Sequence, residues 1–437
     1  MAVLAAGALV WGLAAGPAFA DNIRDQQWAL QAYKATSDVW PISQGDGVTV
    51  AVIDTGVDPD QQDLIGQILP GADFSGDQTD GRVDNDGHGT GMASLIAGHG
   101  HGDQAGVMGL APKAKVLPVR VSLESVGDVQ AGPDFRFPDA LRYAVDHGAK
   151  VINMSFAGSM RTSPDDRAAV AYAVAHDVVM VAGAGNLGSV VSYPAAFPGV
   201  VAVGAIDRQG NIWDHSNYGP ELTLAAPGVG IYSAGNKSTT DYRYATGTSD
   251  ATAYVSAIAA LVRSKYPALS AGQVIRRMIT SAAAPPDHSK VPNDHYGYGI
   301  ASPSKSLAPN PAVDNGPKDN PLLSRVESQG APDTSSPVVV PQAAGGGSGG
   351  GTPGWLYGAG GGVLVLVVLG VVFLLRRAGR RPEPAPAAYP LPPQQSYPPQ
   401  HPYQPQQYQH PQPPQYPDRP QYPDHPQYPE HPRDPRA

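Results

Sequence analysis

Between residues 47 and 302 short apolar runs alternate with helical stretches, and this rhythm leaves few folds open to the chain. The runs at 48–53, 115–121, 151–154, 178–182, 200–203 and 222–225 are rich in valine and other strand formers. Between and after them, 89–98, 138–147, 164–176, 250–265 and 271–281 read as helices, the first closed by Gly98 and the fourth ended by Pro267. Regular exchange of strand and helix predicts βαβ units. The expected fold is therefore α/β in three layers, a mostly parallel sheet with helices on both faces.

Three segments within that rhythm carry side chains that can act together. VAVIDTGVD delivers Asp54 at the carboxyl end of the first strand, where open α/β sheets place their ligand crevices. DGHGTGMAS sets His88 between two glycines at a helix start, and GTSDATAYVSA sets Ser249 at the opening of an alanine-rich helix. A serine hydroxyl is a poor nucleophile near neutral pH. It needs a histidine to take its proton, and the histidine needs a carboxylate to fix its tautomer and stabilise the imidazolium. Singly, each residue has a plainer reading as a turn, a loop or an N-cap. Jointly, in the order Asp, His, Ser, they point to nucleophilic catalysis. The loop DNDGHG also spaces Asp84 and Asp86 like early ligands of a calcium loop, but the later bidentate glutamate is missing, so no metal is expected. A fourth polar residue, Asn186 in VAGAGNLG, lies on a glycine-rich turn after the strand at 178–182.

Composition divides the rest of the 437 residues. Residues 1–20 form an apolar leader ending Ala18-Phe19-Ala20, which reads as a signal peptide, and residues 21–46 form an N-terminal extension before the catalytic domain at 47–306. Absence of cysteine excludes disulfides, thiol catalysis and cysteine-ligated metals. With 29 basic against 38 acidic residues there is no electrostatic footprint for nucleic acid. Residues 307–354, rich in Pro, Ser and Gly, read as a linker, and 355–375 as a transmembrane helix long enough to cross a bilayer core. Arg376, Arg377, Arg380 and Arg381 follow at once, which places residues 376–437 in the cytoplasm and the catalytic domain outside the cell membrane. That tail, with its near-repeats QYPDRP, QYPDHP and QYPEHP, cannot bury a core and is expected to be disordered.

The segments around Asp54, His88 and Ser249 resemble the subtilisin-like serine proteases, the subtilase family (peptidase S8). The extension IRDQQWALQAYKATSDVW, the PGADF segment and the C-terminal linker, helix and tail are most like the mycosins, the membrane-anchored proteases associated with type VII secretion in actinobacteria. The resemblance implies a serine endopeptidase with Ser249 as nucleophile, His88 as base and acid, Asp54 as its orienter and Asn186 as an oxyanion donor. It further implies that a protein or peptide substrate is held along Asn153, Met154, Ser155, Phe156, Ala157 and Gly158, that no cofactor is needed, and that the type VII secretion machinery is a partner. Two residues depart from the family pattern after the serine: Asp250 replaces the usual Met and Ala253 the usual Pro. The short extension resembles a structural belt more than a folded inhibitory propeptide. Two other readings stand beside the enzyme: a secretion-complex scaffold with secondary or no proteolytic role, and a receptor signalling through its Pro/Tyr tail.

Overall fold

The computed structural model describes residues 22–126, 128–131, 135–158 and 162–325. The expected signal peptide, most of the expected linker, the expected membrane span at 355–375 and the tail lie outside the described residues. Among the described residues no helix is long and apolar enough to cross a membrane.

Seven strands form one sheet: β1 Thr49–Asp54, β2 Ala72–Asp73, β3 Lys115–Arg120, β4 Val151–Met154, β5 Val179–Gly183, β6 Val201–Ile206 and β7 Leu222–Pro227. Their order is β7-β6-β5-β4-β1-β3-β2, and every pairing is parallel. The chain runs from β1 to one side of the sheet, then crosses to β4 on the other. That reversal makes the carboxyl end of β1 a topological switch point, and Asp54 is its last residue.

Strand alternation divides the core in two. Val50, Val52, Val116, Val179, Val181 and Val203 face α1 (His88–Ala97) and a long helix (Thr248–Lys265). Ala51, Ile53, Val119, Ile152, Met180 and Ala202 face two others, α2 (Phe137–Asp146) and α3 (Pro164–Ala175). The long helix, α4, is buried at every residue from Thr248 to Arg263, which is why its sequence carries apolar and small residues all round rather than along one stripe. A hairpin of β8 (Ile231–Ala234) and β9 (Tyr242–Ala245) closes over α1, and α5 (Ala271–Thr280) completes that layer.

The N-terminal extension lies against the α4 face. Trp28 Nε1 donates to the carbonyls of Val229 and Gly230 at 3.0 and 3.1 Å, Trp40 Nε1 to Leu110 O at 3.0 Å, and Ser43 Oγ to Leu261 O at 2.9 Å. Gln27 exchanges two bonds with the Met108 backbone, at 2.9 and 2.8 Å.

At the other end the expected linker starts too early. Residues 307–325 belong to the body of the domain: α6 (Pro303–Leu307) and α7 (Pro311–Asp314) are both opened by proline, so these prolines start helices instead of marking a tether. Asp314 takes both arms of the buried Arg277 guanidinium, at 2.7 and 2.6 Å. Arg325 donates to the carbonyls of Phe197 and Val200 at 2.7 and 2.9 Å, and to Glu221 O, tying residues 320–325 to the loop before β6 and the start of β7. A pattern of proline, serine and glycine cannot by itself tell a helix-opening proline from a tether.

Candidate active site

The carboxyl end of β1 and the start of α1 meet through glycines. A Cβ at Gly89 would stand 2.0 Å from Gly56 O, and one at Gly56, where φ is +106°, would stand 2.0 Å from Val83 O. Only bare backbone permits this approach. The first N–H groups of α1, which have no partner inside the helix, find side chains: His88 N reaches Asp86 Oδ1 at 3.1 Å, Gly89 N reaches Thr55 Oγ1 at 3.0 Å and Thr90 N reaches Asp84 Oδ2 at 2.9 Å. Asp84 also accepts from Gly87 N, Thr55 Oγ1 and Thr90 Oγ1, so its carboxylate is occupied by protein donors. The Asp84 loop therefore seats the helix, and no group of metal-ligating side chains is found among the described residues.

Seated in this way, His88 Nδ1 donates to Asp54 Oδ1 at 2.7 Å, and Thr55 N donates to the same oxygen at 2.8 Å. Both side chains are buried. Burial opposes charge on the His88 imidazole, but the Asp54 carboxylate outweighs it. With Asp250 adding to the effect and Arg243 opposing it, the His88 pKa is raised above its ordinary value.

Ser249 stands in the first turn of α4, buried, with its Oγ donating to Ser155 O at 2.9 Å rather than to His88. The turn is pinned to β4: Ser155 Oγ donates to Ser249 O at 3.0 Å, Asn153 Nδ2 to Ser155 Oγ at 3.0 Å, and Ser256 Oγ to Asn153 Oδ1 at 2.9 Å. The side chains of Asn153, Met154, Ser155 and Phe156 are buried, and those of Asn153 and Ser155 serve this internal link. Gly158 N is paired with Tyr193 O at 3.2 Å. Ala157 is the first partly exposed residue of this segment.

Asn186 follows Gly185, whose φ of +113° and 2.3 Å virtual contact with Asn217 Nδ2 exclude a side chain there. Asn186 Oδ1 accepts from Thr248 N at 2.8 Å and Thr248 Oγ1 at 2.9 Å. With the oxygen held by the residue before Ser249, the amide orientation is set and Nδ2 becomes its donor end.

The structure thus gathers Asp54, His88, Ser249, Asn186 and the 153–158 segment at one end of the sheet. It also gathers residues that the sequence motifs did not single out. Thr55 and Thr90 help seat α1. Arg243 on β9 lies against that helix, with its Cδ 3.3 Å from where a Cβ on Gly91 would stand, and Tyr254 follows Asp250 by one turn of α4. Local sequence held no signal for Arg243, because only the hairpin brings it over α1.

Comparison with known proteins identifies the family. The subtilase family profile matches residues 45–299. The chain is 38% identical over 234 residues to a thermophilic serine proteinase of Bacillus sp. strain AK1, covering 53% of this chain and 56% of that one. It is 34% identical over 308 residues to mycosin-3 of Mycobacterium tuberculosis, covering 56% of this chain and 64% of that one. It therefore spans less than two thirds of the length of either relative. The solved structure of the MycP3 protease from the type VII (ESX-3) secretion system superposes with a TM-score of 0.55 at 33% identity, covering 65% of this chain and 88% of that one. With more than half its length matched to one profile and the same fold in its relatives, the chain belongs to the subtilase family of serine peptidases and is subtilisin-like and mycosin-like.

Proposed function

We propose that this protein is an extracytoplasmic serine endopeptidase, anchored by one C-terminal membrane helix with its tail in the cytoplasm and working with a type VII secretion system. The observation that carries the catalytic part is the buried 2.7 Å Asp54–His88 bond at the switch point of the sheet, with the Ser249 turn pinned beside it. Ser249 Oγ leaves Ser155 O and turns to His88 Nε2, which takes its proton as Oγ attacks the peptide carbonyl carbon. Asp54 holds Nδ1–H and stabilises the imidazolium. Asn186 Nδ2 and the Ser249 backbone N–H, at the start of α4, donate to the oxyanion. His88 then gives its proton to the leaving amine, the C–N bond breaks, and an acyl-Ser249 ester remains. Water, deprotonated by His88, hydrolyses that ester and restores the hydroxyl. A peptide lies along the 153–158 segment as an added strand. Anchoring and orientation are supported by the leader, the apolar run at 355–375 and the arginines after it, and the secretion role by likeness to mycosin-3 and MycP3.

Covalent labelling by a peptidyl serine phosphonate tests the reading. The wild-type chain is expected to label at Ser249 and Ser249→Ala to lose both labelling and peptide cleavage; cleavage retained by the purified variant overturns it. The bond from Ser249 Oγ to Ser155 O, which turns the nucleophile from its base, favours the scaffold alternative. An unlabelled wild-type protein whose secretion complex still assembles is that alternative's outcome.

A further inference from the structure

A carboxyl group one residue from the nucleophile is unusual for this fold, and its surroundings say what it does. Asp250 is 2% exposed, and its Oδ1 is buried with no hydrogen-bond partner among the described residues. A buried carboxylate oxygen without a donor is costly unless a positive charge faces it. The charged and titratable groups that act electrostatically on Asp250, or feel it, come from three elements: Arg243 from β9, whose side chain lies against Gly91 of α1, His88 from the start of α1, and Tyr254 one turn along its own helix. Behind Tyr254 stands Tyr33 of the N-terminal extension, with the two rings edge to face at 6.0 Å and both hydroxyls buried without a partner among the described residues. A polar seam thus runs from the extension through Tyr254 and Asp250 to the catalytic imidazole. The two groups in it able to carry positive charge are Arg243 and His88.

The geometry points to Asp250 as a positioning residue of the reaction: a second carboxyl that acts on His88 from the nucleophile's own helix and, when ionised, favours the imidazolium. This rests on the roles proposed above for Ser249 and His88. Burial pushes the Asp250 carboxyl up to about 6, with Arg243 and His88 pulling it back, while the His88 imidazole is raised in part by Asp250 itself. Two interacting groups that titrate together lose their protons in two steps that belong to the pair. The imidazolium formed during attack is then held by Asp54 on its Nδ1 side and by Asp250 through space, and the enzyme needs a higher pH to free its base.

The test uses the full chain and two readouts. In the wild type, the 15N-imidazole resonances of His88 are expected to titrate in two steps, one of them tracking the Asp250 carboxyl; a single step overturns the proposal. In Asp250→Asn, and in Asp250→Met should the amide variant not fold, the His88 titration and the acid limb of kcat/KM are expected to move to lower pH by about half a unit or more, since loss of a nearby negative charge destabilises the imidazolium. An unmoved His88 titration in either folded variant overturns it. A protein that cleaves nothing defeats the proposed function but leaves the resonance measurement readable, so the two failures are distinguishable.

Discussion

Two histidine–aspartate pairs of nearly equal length sit in this domain, and they have different fates. His88 Nδ1 meets Asp54 Oδ1 at 2.7 Å, and His101 Nδ1 meets Asp63 Oδ1 at 2.6 Å. Both aspartates are fully buried. The His88 side chain is 5% exposed and opens on the turn that carries Ser249, while that of His101 is 31% exposed on a hairpin, His99–His101 with Ala105–Met108. Asp63 directs its second oxygen to Val107 N at 2.7 Å, which fastens the hairpin to the turn Gln62–Leu64. The difference teaches that a short His–Asp bond is only a way of fixing an imidazole. What the ring does depends on what the rest of the fold brings to its other side.

The largest effect that could break this contrast is on the nucleophile. Ser249→Ala is expected to lower kcat on the order of 10⁶-fold, the scale known for the corresponding loss in subtilisin, with the fold intact by circular dichroism. A fall of only tenfold would put the chemistry elsewhere. Asn186→Ala comes next: kcat should drop by about 10²- to 10³-fold with KM little changed, again the subtilisin scale, because the amide bonds more strongly to the oxyanion than to the ground-state carbonyl. An unchanged kcat with acyl transfer rate-limiting would remove Asn186 from that role.

A third measurement sharpens the contrast through stability. Asp250 has its carboxyl raised from its ordinary range to about 6, so the native state binds its proton more tightly than the unfolded chain does. The resulting stabilisation is complete below about pH 4 and is lost as pH rises through 6, amounting to about 3 kcal/mol. Asp250→Met should therefore raise Tm at pH 7 relative to wild type more than it does at pH 4, by scanning calorimetry at both. An equal change at both pH values would mean that the carboxyl is not perturbed by burial. The smallest effect belongs to the other pair. His101→Ala leaves Asp63 Oδ1 short of a donor and should cost about 1–3 kcal/mol in urea unfolding while kcat/KM stays unchanged. If activity fell with it, the hairpin clasp would be part of the catalytic apparatus.

Much of this was readable in the chain. The strand at 48–53 and the helix at 89–98 differ by a single residue at each end from Thr49–Asp54 and His88–Ala97, because valine runs and a Gly-bounded segment fix local conformation. Residues 307–325 read as a linker because nothing local shows that Asp314 pairs with Arg277, a partner 37 positions earlier. The Asp84 loop shares only its early spacing with a calcium loop; which donors fill its carboxylate, Thr90 and Thr55, is a matter that spacing alone cannot show.

The sequence by itself determined the βαβ rhythm and the places of Asp54, His88, Ser249 and Asn186, the residues proposed for the site, near strand ends and helix starts, because hydrophobic periodicity, glycine and capping act within a few residues. Only the tertiary structure decided that Ser249 rests on Ser155 O, that Asn153 and Ser155 face inward to hold α4, that Arg243 and His88 act on Asp250, and that Tyr33 packs edge to face on Tyr254. Those contacts join elements far apart in sequence. Their energies depend on burial and on which charges meet in a low dielectric, and neither exists until the layers have packed.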